Sequence, residues 1–363
     1  MKKIVILIND TTYAYNLRGA VIRQLVAEGF QVVVACKFLK LKKELEELGC
    51  RLVEVDFGRH GTDPLKDLRL MNRYGQILRS EKPDLVLTYN IKPNVYGGMM
   101  CRLLGIKYIP NITGLGTAVE NAGRLQTLTV GLYRLGLAKA SCVFFQNEDN
   151  RQFFAERNIL PSGVRTRVIP GSGVDLERHR AMPYPGGETV NFLFVARVMK
   201  EKGIDIFLRA AEAISARYPD SAFHICGMCD DPEYECILRE AENAGTVRYH
   251  GEQADMRPFF EMAHCVVHPS YYPEGMSNVL LEAAAHGRPI IATDRAGCRE
   301  TVDDGISGFV VPIKNEQAVI AAIERFMNMS QEERTAMGAA GRRKMEREFD
   351  REFVVQAYMD EIR

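Results

Sequence analysis

Glu274 and Glu282 are spaced in a way that suits ligand binding, within the segment YPEGMSNVLLEAAAHGRPI of residues 272–290. The rest of the segment is typical of a buried helix, and Asn278 stands midway between the two glutamates. On a helix all three would fall near one face, with the carboxylates ~12 Å apart along the axis. Carboxylates at that separation can accept hydroxyl hydrogen bonds from two ends of one polar ligand. The alternative is a solvated stripe on an amphipathic helix.

The start of this predicted helix favours an anion. Gly275 permits close approach to the backbone, and Ser277 and Asn278 supply capping side chains. A helix N-terminus presents free N–H groups and the positive end of the helix dipole, which suits a phosphate. The segment therefore predicts a ligand with a diphosphate between two hydroxyl-bearing groups, such as a sugar and a ribose.

Two cations stand at another junction between a strand and a helix. Arg197 follows the apolar run NFLFVA, and Lys202 comes five residues later, just before Gly203. Cations at the carboxyl end of a parallel strand form a plausible diphosphate clamp, although a solvated loop of mixed charge is the alternative. CVVHPS and ATDRAGCRE also end strands, so we expect the junctions to converge. His268 of CVVHPS is expected to be a satisfied structural histidine.

Strand-like and helix-like segments alternate along the whole chain. Runs rich in β-branched residues separated by helical patterns predict parallel sheets covered on both faces. We expect a first helix from about Leu17 to Glu28 and a long charged helix from Gln331 to Arg363. The class is α/β, with two doubly wound Rossmann-like domains facing each other across a ligand-binding cleft. The predicted organisation is a first domain at 1–177, a Pro/Gly-rich linker at 178–188, a second domain at 189–340 and a C-terminal helix at 341–363 that packs on the first domain.

Charge is unevenly distributed in this chain of 363 residues. Residues 1–180 hold 27 Lys and Arg against 17 Asp and Glu, a net charge of +10, and residues 181–363 carry −10. A basic first half predicts an anionic partner, either a phosphorylated acceptor or a membrane surface, and chance distribution of surface charge is the alternative. Nucleic acid is not expected, because the basic residues form no dense block. No apolar run reaches the length of a membrane-spanning helix.

The cysteines and acidic residues do not predict a metal site. Nine cysteines without a disulfide framework indicate free thiols in a reducing cytoplasm. Cys226 and Cys229 form a C-x-x-C, but no second pair accompanies them, so a metal or redox site is the less favoured interpretation. The chain has no D-x-D, and we expect neither a metal-held diphosphate nor another cofactor.

The second half resembles the donor domain of glycosyltransferase family 4. The matching segments are R-x4-K-G, HPS-x3-EG-x6-E, G-x-PIIATD-x2-G and DDGISGFVV, over about residues 190–312. The resemblance implies a GT-B fold and a retaining reaction, and it departs from the family at NDTTYAYNLRG and at Cys226-Gly227-Met228. It implies that Arg197 and Lys202 contact the donor diphosphate, Glu274 the sugar and Glu282 the ribose. The remaining implied donor-binding residues are Gly275, Met276, Ser277, Asn278 and Val279.

The first half resembles a branch of that family that elongates lipid-linked sugars, through its NDTT…LRG, TGLG and PGSGVD segments. This implies an undecaprenyl-diphosphate-linked acceptor. Asn16 and Arg18 are expected where the first helix begins, facing the cleft, and Gly114 and Gly116 are expected in a loop that lines it. A plain tight turn is the alternative for that loop. The apolar helix from Arg124 is predicted to lie on a membrane interface or, alternatively, in the core.

Together these features predict a retaining glycosyltransferase. It would move a hexose or N-acetylhexosamine from a nucleotide sugar, UDP-linked by expectation, to a hydroxyl of a polyprenyl-diphosphate-linked glycan in surface polysaccharide biosynthesis. The expected location is the cytoplasm, at the inner face of the cell membrane. Two alternatives are a UDP-sugar 2-epimerase on the same fold and a non-catalytic nucleotide-sugar binding protein. The transferred sugar, the linkage position and the oligomeric state are not predicted.

Overall fold

The computed structural model describes residues 2–56, 63–116 and 123–363, which form two compact units. The first unit comprises Met1–Ser172, Glu274–Met276 and Arg351–Arg363, and the second comprises Gly173–Pro273 and Ser277–Asp350. Glu274–Met276 are therefore grouped with the first unit, although their neighbours along the chain belong to the second. Each unit has its own parallel sheet, which confirms the α/β class and the two doubly wound sheets.

The first unit is built on a sheet with strand order β3-β2-β1-β4-β5-β6-β7, in which all pairs are parallel. The order reverses between β1 and β4, where Ile4 pairs with Leu85. Ligands of open α/β sheets bind outside the carboxyl ends of the strands near such a reversal. The strands are β1 Lys3–Asp10, β2 Gln31–Lys37, β3 Arg51–Glu54, β4 Leu85–Tyr89, β5 Lys107–Ile112, β6 Cys142–Phe145 and β7 Arg165–Val168.

Helices cover both faces of this sheet. One core contains the buried face of α1 and residues of the last helix, including Val354 and Tyr358. The other core lies under α3, α4, α5 and α6 and contains Tyr74 and Tyr133. The helices are α1 Thr11–Ala27, α2 Lys42–Glu47, α3 Pro64–Glu81, α4 Gly98–Leu104 after a π-helical turn at Pro93–Gly97, α5 Arg124–Leu137, α6 Glu148–Glu156 and α13 Arg351–Ile362.

Helix α1 begins at Thr11, so the predicted start at Leu17 is wrong. The Asp10 carboxylate caps this helix by accepting a hydrogen bond from the Tyr13 N–H at 3.0 Å. An aspartate in extended conformation that bonds the third N–H is an effective N-cap. Asn16 and Arg18 consequently lie in the second turn of α1, not where it begins.

The second unit has strand order β10-β9-β8-β11-β12-β13, again all parallel. Its strands are β8 Val190–Val195, β9 Ser221–Cys226, β10 Arg248–Tyr249, β11 Cys265–His268, β12 Ile290–Thr293 and β13 Gly308–Val311. Its helices are α7 Ile204–Ser215, α8 Pro232–Asn243, α9 Arg257–Met262, α10 Asn278–Ala285, α11 Glu316–Met327 and α12 Gln331–Lys344. All of the predicted strands are present in the two sheets.

The long helix predicted from Gln331 to Arg363, and with it the single C-terminal helix at 341–363, is wrong. Helix α12 ends at Lys344, a π-helical turn follows at Met345–Phe349, and α13 starts at Arg351. The chain breaks at Asp350, whose φ of −57° and ψ of 134° are not helical. There the Phe349 carbonyl accepts a hydrogen bond from the Val174 N–H at 2.8 Å instead of continuing a helix.

Among the residues that the structure describes, no helix combines the length and the apolar composition needed to cross a bilayer.

Candidate functional site

Lys202 occupies the turn between β8 and α7 in the second unit. It ends a short 3₁₀ turn, Lys200–Lys202, and Gly203 follows with a φ of +80°. A Cβ at Gly203 would lie 2.2 Å from the Pro269 carbonyl oxygen, so only glycine lets the turn pack against the loop after β11. The ammonium lies 5.0 Å from the ring centroid of Tyr272. The fold therefore brings Lys202 beside the carboxyl end of β11.

The pKa of the Lys202 amine is lowered to about 8, mainly by burial and to a smaller extent by the nearby positive charge of Arg197. Desolvation disfavours the charged form of an amine. Arg197 itself is exposed, two residues beyond the end of β8. A cation that has lost part of its hydration gains more from an incoming anion than a solvated one does. This pair can therefore stabilise a bound diphosphate.

His268 and Ser277 meet at the start of α10. The Ser277 hydroxyl lies 3.5 Å from His268 Nε2, and the Ser277 N–H donates to the Gly297 carbonyl at 2.8 Å. Burial, together with the charge of Lys202, lowers the pKa of His268 to about 3, so the ring is neutral. His268 Nδ1 has no hydrogen-bond partner among the residues described. The expectation of a satisfied structural histidine is therefore wrong at that nitrogen.

Helix α10 starts at Asn278, so Glu274 is not on it and the single helical face proposed for both glutamates is wrong. Ser277 is the N-cap residue by position, but its side chain makes no capping bond within the described chain. The Leu280 N–H donates to the Ser277 carbonyl at 3.2 Å, which within the described part of the chain leaves the N–H groups of Asn278 and Val279 for another acceptor. Asn278, Val279 and Glu282 form the half-buried side of this otherwise buried helix.

Glu274–Met276 lie against residues of the first unit. The Asn147 side chain donates to the Gly275 carbonyl at 2.5 Å and reaches the Glu274 carbonyl at 3.4 Å. A Cβ at Gly275 would lie 2.3 Å from Gln146 Oε1 and 2.6 Å from the Thr113 carbonyl oxygen. The close approach expected at Gly275 is therefore made by the protein itself. Met276 is buried, and a Cβ at Gly171 would meet its side chain at 2.5 Å.

Two of the predicted acceptor residues, Arg18 and Gly116, lie near the carboxyl end of β4 in the first unit. Arg18 is only 2% exposed, and its guanidinium lies 4.6 Å from the ring centroid of Tyr89. Its Nη1 has no hydrogen-bond partner in the described part of the chain. Asn16 is half-buried. Gly114 and Gly116 follow β5 with φ values of +138° and +66°, as a glycine loop requires.

The cysteines are free thiols, as expected. Most are buried, but Cys229 is half-buried and Cys236 is exposed. Cys298, close to Lys202, is buried, and burial raises its pKa to about 12. The described residues contain no cluster of three or more His, Cys, Asp or Glu that could hold a metal ion.

Asn147 and its neighbours were missed in the sequence. The signal was present, because an asparagine directly before Glu148 and Asp149 at the end of a strand is a typical N-cap pattern. What it could not reveal is the second partner of that side chain, which lies 128 residues away along the chain. Tyr272 was also not singled out, since an aromatic residue in a loop has many roles.

Family models match both halves of the chain. Residues 3–147 match the family described as "Glycosyl transferase 4-like", and residues 179–344 match "Glycosyl transferases group 1". The chain is 24% identical over 318 residues to the N,N'-diacetylbacillosaminyl-diphospho-undecaprenol alpha-1,3-N-acetylgalactosaminyltransferase of Campylobacter jejuni, covering 83% of each chain. It is 26% identical over 280 residues to the UDP-Gal:alpha-D-GlcNAc-diphosphoundecaprenol alpha-1,3-galactosyltransferase of Escherichia coli, covering 72% of this chain and 70% of that one.

Solved structures have the same fold. The Anabaena protein HepE in complex with UDP and glucose superposes with a TM-score of 0.80 at 17% identity, covering 100% of this chain and 99% of that chain. A glycosyltransferase from Rickettsia africae also gives a TM-score of 0.80 at 17% identity, with 99% and 97% covered. The fold is therefore GT-B. The chain belongs to the family-4-like glycosyltransferases, in which a glycosyl transferase 4-like region precedes a group 1 region.

Proposed function

We propose that this protein is a retaining glycosyltransferase that moves a hexose or N-acetylhexosamine from a UDP-sugar to a hydroxyl of a polyprenyl-diphosphate-linked glycan. The names of the Campylobacter and Escherichia relatives both specify a diphospho-undecaprenol acceptor, and the name of the second also specifies a UDP-linked donor. These names support the choice of substrate class. The two names specify different sugars, so we propose a class of sugar, hexose or N-acetylhexosamine, and not an individual sugar.

The observation that carries the proposal is the cationic junction of the second unit. Lys202 is partly desolvated and lies close enough to Arg197 and to His268 to interact with both electrostatically. His268 in turn meets Ser277 at the start of α10, where Ser277 makes no capping bond within the described chain. A diphosphate would satisfy the first N–H groups of α10 and neutralise both cations. Glu282, one turn into α10, would then be placed to accept hydroxyl hydrogen bonds from the ribose.

The reaction breaks the bond between the anomeric carbon and the diphosphate oxygen and forms a bond to the acceptor oxygen. The acceptor attacks from the face that the diphosphate leaves, and the departing diphosphate oxygen takes the acceptor proton. Lys202, Arg197 and the N-terminus of α10 stabilise the charge that develops on the leaving group. Glu274 orients the sugar and stabilises positive charge on its ring. No metal ion is required for these steps, because protein cations supply the charge.

The proposed acceptor site consists of Asn16, Arg18, Gly114 and Gly116. The unpaired Nη1 of Arg18, stacked over Tyr89, supports a role with an anionic acceptor, since a buried guanidinium without an anion is unfavourable. The glycine loop after β5 allows backbone N–H groups to approach a phosphate.

The test is a panel of UDP-sugars incubated with short polyprenyl-diphosphate glycans and read by mass spectrometry. We expect a mass gain of one sugar on a lipid-linked acceptor, lost in Lys202→Ala and retained in Lys200→Ala, which changes an exposed lysine of the same turn. A new sugar formed from the donor alone would instead indicate the epimerase. Tight UDP binding without turnover on any acceptor would indicate the non-catalytic binding protein.

We also propose that the first unit contacts an anionic membrane surface through α3, α4 and α5, which pack side by side. These three helices carry seven Lys and Arg against two Asp and Glu, and both acids, Asp67 and Glu81, are paired with lysines. An open, mostly apolar surface lies along α5, lined by Leu128, Leu132 and Leu135. Exposed leucines flanked by cations suit the interface of an anionic bilayer. The leucines, each between 48% and 72% exposed, are Leu65, Leu68, Leu103, Leu125, Leu128 and Leu135.

Vesicle co-sedimentation tests this surface. We expect binding to vesicles of phosphatidylcholine with phosphatidylglycerol, weaker binding to phosphatidylcholine alone, and weakening by salt. Leu128→Glu should reduce binding at least about tenfold, because it removes one leucine that would insert into the bilayer and adds repulsion from the anionic lipids. Ile306→Glu, at an exposed isoleucine of the second unit, is the matched control and should bind normally. If the two variants bound the vesicles equally well, α3, α4 and α5 would not form the membrane-binding surface.

A further inference from the structure

The side chain of Asn147 makes two different hydrogen bonds at once. Its Oδ1 accepts from the Asn150 N–H at 2.8 Å, which caps α6. Its Nδ2 donates to the Gly275 carbonyl at 2.5 Å. The residue is 2% exposed, so water does not compete for either bond. Because one partner is a donor and the other an acceptor, only the amide of asparagine in this one orientation satisfies both.

The backbone of Glu274–Met276 is held on both sides. Two successive carbonyls, those of Glu274 and Gly275, face side-chain amides, since Asn150 Nδ2 also reaches the Glu274 carbonyl at 3.4 Å. The α-carbon of Gly275 packs against Gln146. Gln146 in turn donates to Asn111 Oδ1 at 3.4 Å. The Glu274 carbonyl belongs to the peptide group that directly follows the Glu274 α-carbon. Holding it together with the Gly275 carbonyl therefore fixes the backbone on the carboxyl side of Glu274 and restricts the directions in which its side chain leaves.

We propose that Asn147 is a positioning residue for sugar transfer, which acts by fixing the backbone of Glu274 so that its carboxylate meets the sugar in one geometry. This inference rests on the proposed function, in which Glu274 contacts the donor sugar. Asn147 does not itself touch the substrate. Misplacing a reacting group by about 1 Å costs on the order of 100-fold in rate.

The two bonds of Asn147 can be separated by one substitution. In Asn147→Asp the carboxylate still caps α6, because Asp is as good an N-cap as Asn. It cannot donate to the Gly275 carbonyl, and the two oxygens repel each other. Asn147→Ala loses both bonds and is expected to lower Tm as well.

Asn315 provides a matched control. It is the N-cap of α11, where its Oδ1 accepts from the Ala318 N–H at 3.0 Å. Asn315→Asp is therefore the same chemical change at the same kind of helix position, in a different part of the fold. We expect it to keep wild-type activity.

The experiment compares wild type, Asn147→Asp and Asn315→Asp by steady-state kinetics and by hydrogen–deuterium exchange of the peptide spanning residues 271–280. For Asn147→Asp we expect kcat to fall about 100-fold, the donor KM to change less than about threefold, and exchange in the peptide to become faster. Tm should fall as well, because the variant places a carboxylate against a carbonyl at a buried position. A simple loss of stability would not produce this split between kcat and KM.

Wild-type kcat and wild-type exchange in Asn147→Asp would overturn the proposal. A raised donor KM with unchanged kcat would also overturn it, since that pattern marks lost binding instead of lost positioning. If the wild-type protein transfers no sugar from any donor, the proposed function fails. The exchange measurement would then still decide separately whether Asn147 anchors residues 274–276.

Discussion

The lowered pKa of Lys202 makes a quantitative prediction about donor binding. With a pKa of about 8 in the free protein, the amine is about 90% charged at pH 7, half charged at pH 8 and about 10% charged at pH 9. A diphosphate bound beside it favours the charged form and raises the pKa again. Binding of UDP at pH 8 should therefore take up about half a proton, and at pH 7 about a tenth of one. Above pH 8 the affinity for UDP should fall with increasing pH, and the steepness of this fall should approach about tenfold per pH unit.

The same group affects folding stability in the opposite direction. Burial holds the pKa of Lys202 below its ordinary value of 10.5, so between about pH 8 and 10.5 the unfolded chain binds more protons than the folded chain. Stability from this group therefore rises with pH across that window, by about 3 kcal/mol at most, and is lost as pH falls toward 8. Loss of UDP affinity at pH 9 thus cannot be attributed to unfolding through Lys202.

Isothermal titration calorimetry of UDP in buffers of different ionisation enthalpy measures the proton uptake directly. Phosphate groups have a second pKa of about 6, so the diphosphate of UDP does not titrate above pH 8. The proton uptake is compared at pH 8, below the range in which the uracil ring ionises. Lys202→Met should abolish the uptake and flatten the pH dependence, and Lys200→Met, at an exposed position of the same turn, should behave as wild type. An uptake near zero at pH 8 in the wild type, or half a proton in Lys202→Met, would refute a contact between this amine and the diphosphate.

Further substitutions test the other residues. Glu274→Ala should abolish transfer with little change in Tm, as judged by product formation and thermal unfolding. Glu282→Ala should weaken UDP binding about tenfold through one lost charged hydrogen bond, measured by calorimetry, while kcat at saturation changes less. Gly203→Ala should destabilise the protein by at least about 2 kcal/mol in urea unfolding, because its Cβ would lie 2.2 Å from the Pro269 carbonyl oxygen at a φ of +80°. Arg18→Met should unfold no more easily than wild type, since it removes a buried cation with an unpaired nitrogen, but should raise the acceptor KM.

The sheets were predictable because their signal is local. Each buried parallel strand is a short continuous run of β-branched and aromatic residues, as in β1 and β8, and tertiary contacts only reinforce that pattern. The start of α1 was also encoded locally, since Asp10 before two threonines is a capping sequence. This helix start was missed because Asp10 is at once the last residue of β1 and the N-cap of α1, so no loop separates the two elements.

The start of α10 was not predictable from local pattern. Glu274, Asn278 and Glu282 have helical spacing, and nothing nearby forbids a helix from Glu274. The chain departs from that pattern because Ser277 bonds Gly297, and because Asn147 binds the carbonyl of Gly275. Both partners are distant in sequence. The break at Asp350 has the same origin, since its cause is a hydrogen bond from Val174.

Helix α13 belongs to the first unit, and this has a consequence for how the protein folds during its synthesis on the ribosome. Tyr358, whose hydroxyl accepts from Asn111 at 2.6 Å, fills the core beside β4 and β6. A nascent chain emerging from the ribosome supplies this residue only after the entire second unit has been translated. Until then one face of the first sheet is covered by α1 without α13. The second unit is therefore free to fold first, and the demand for chaperones should concentrate on the amino-terminal half.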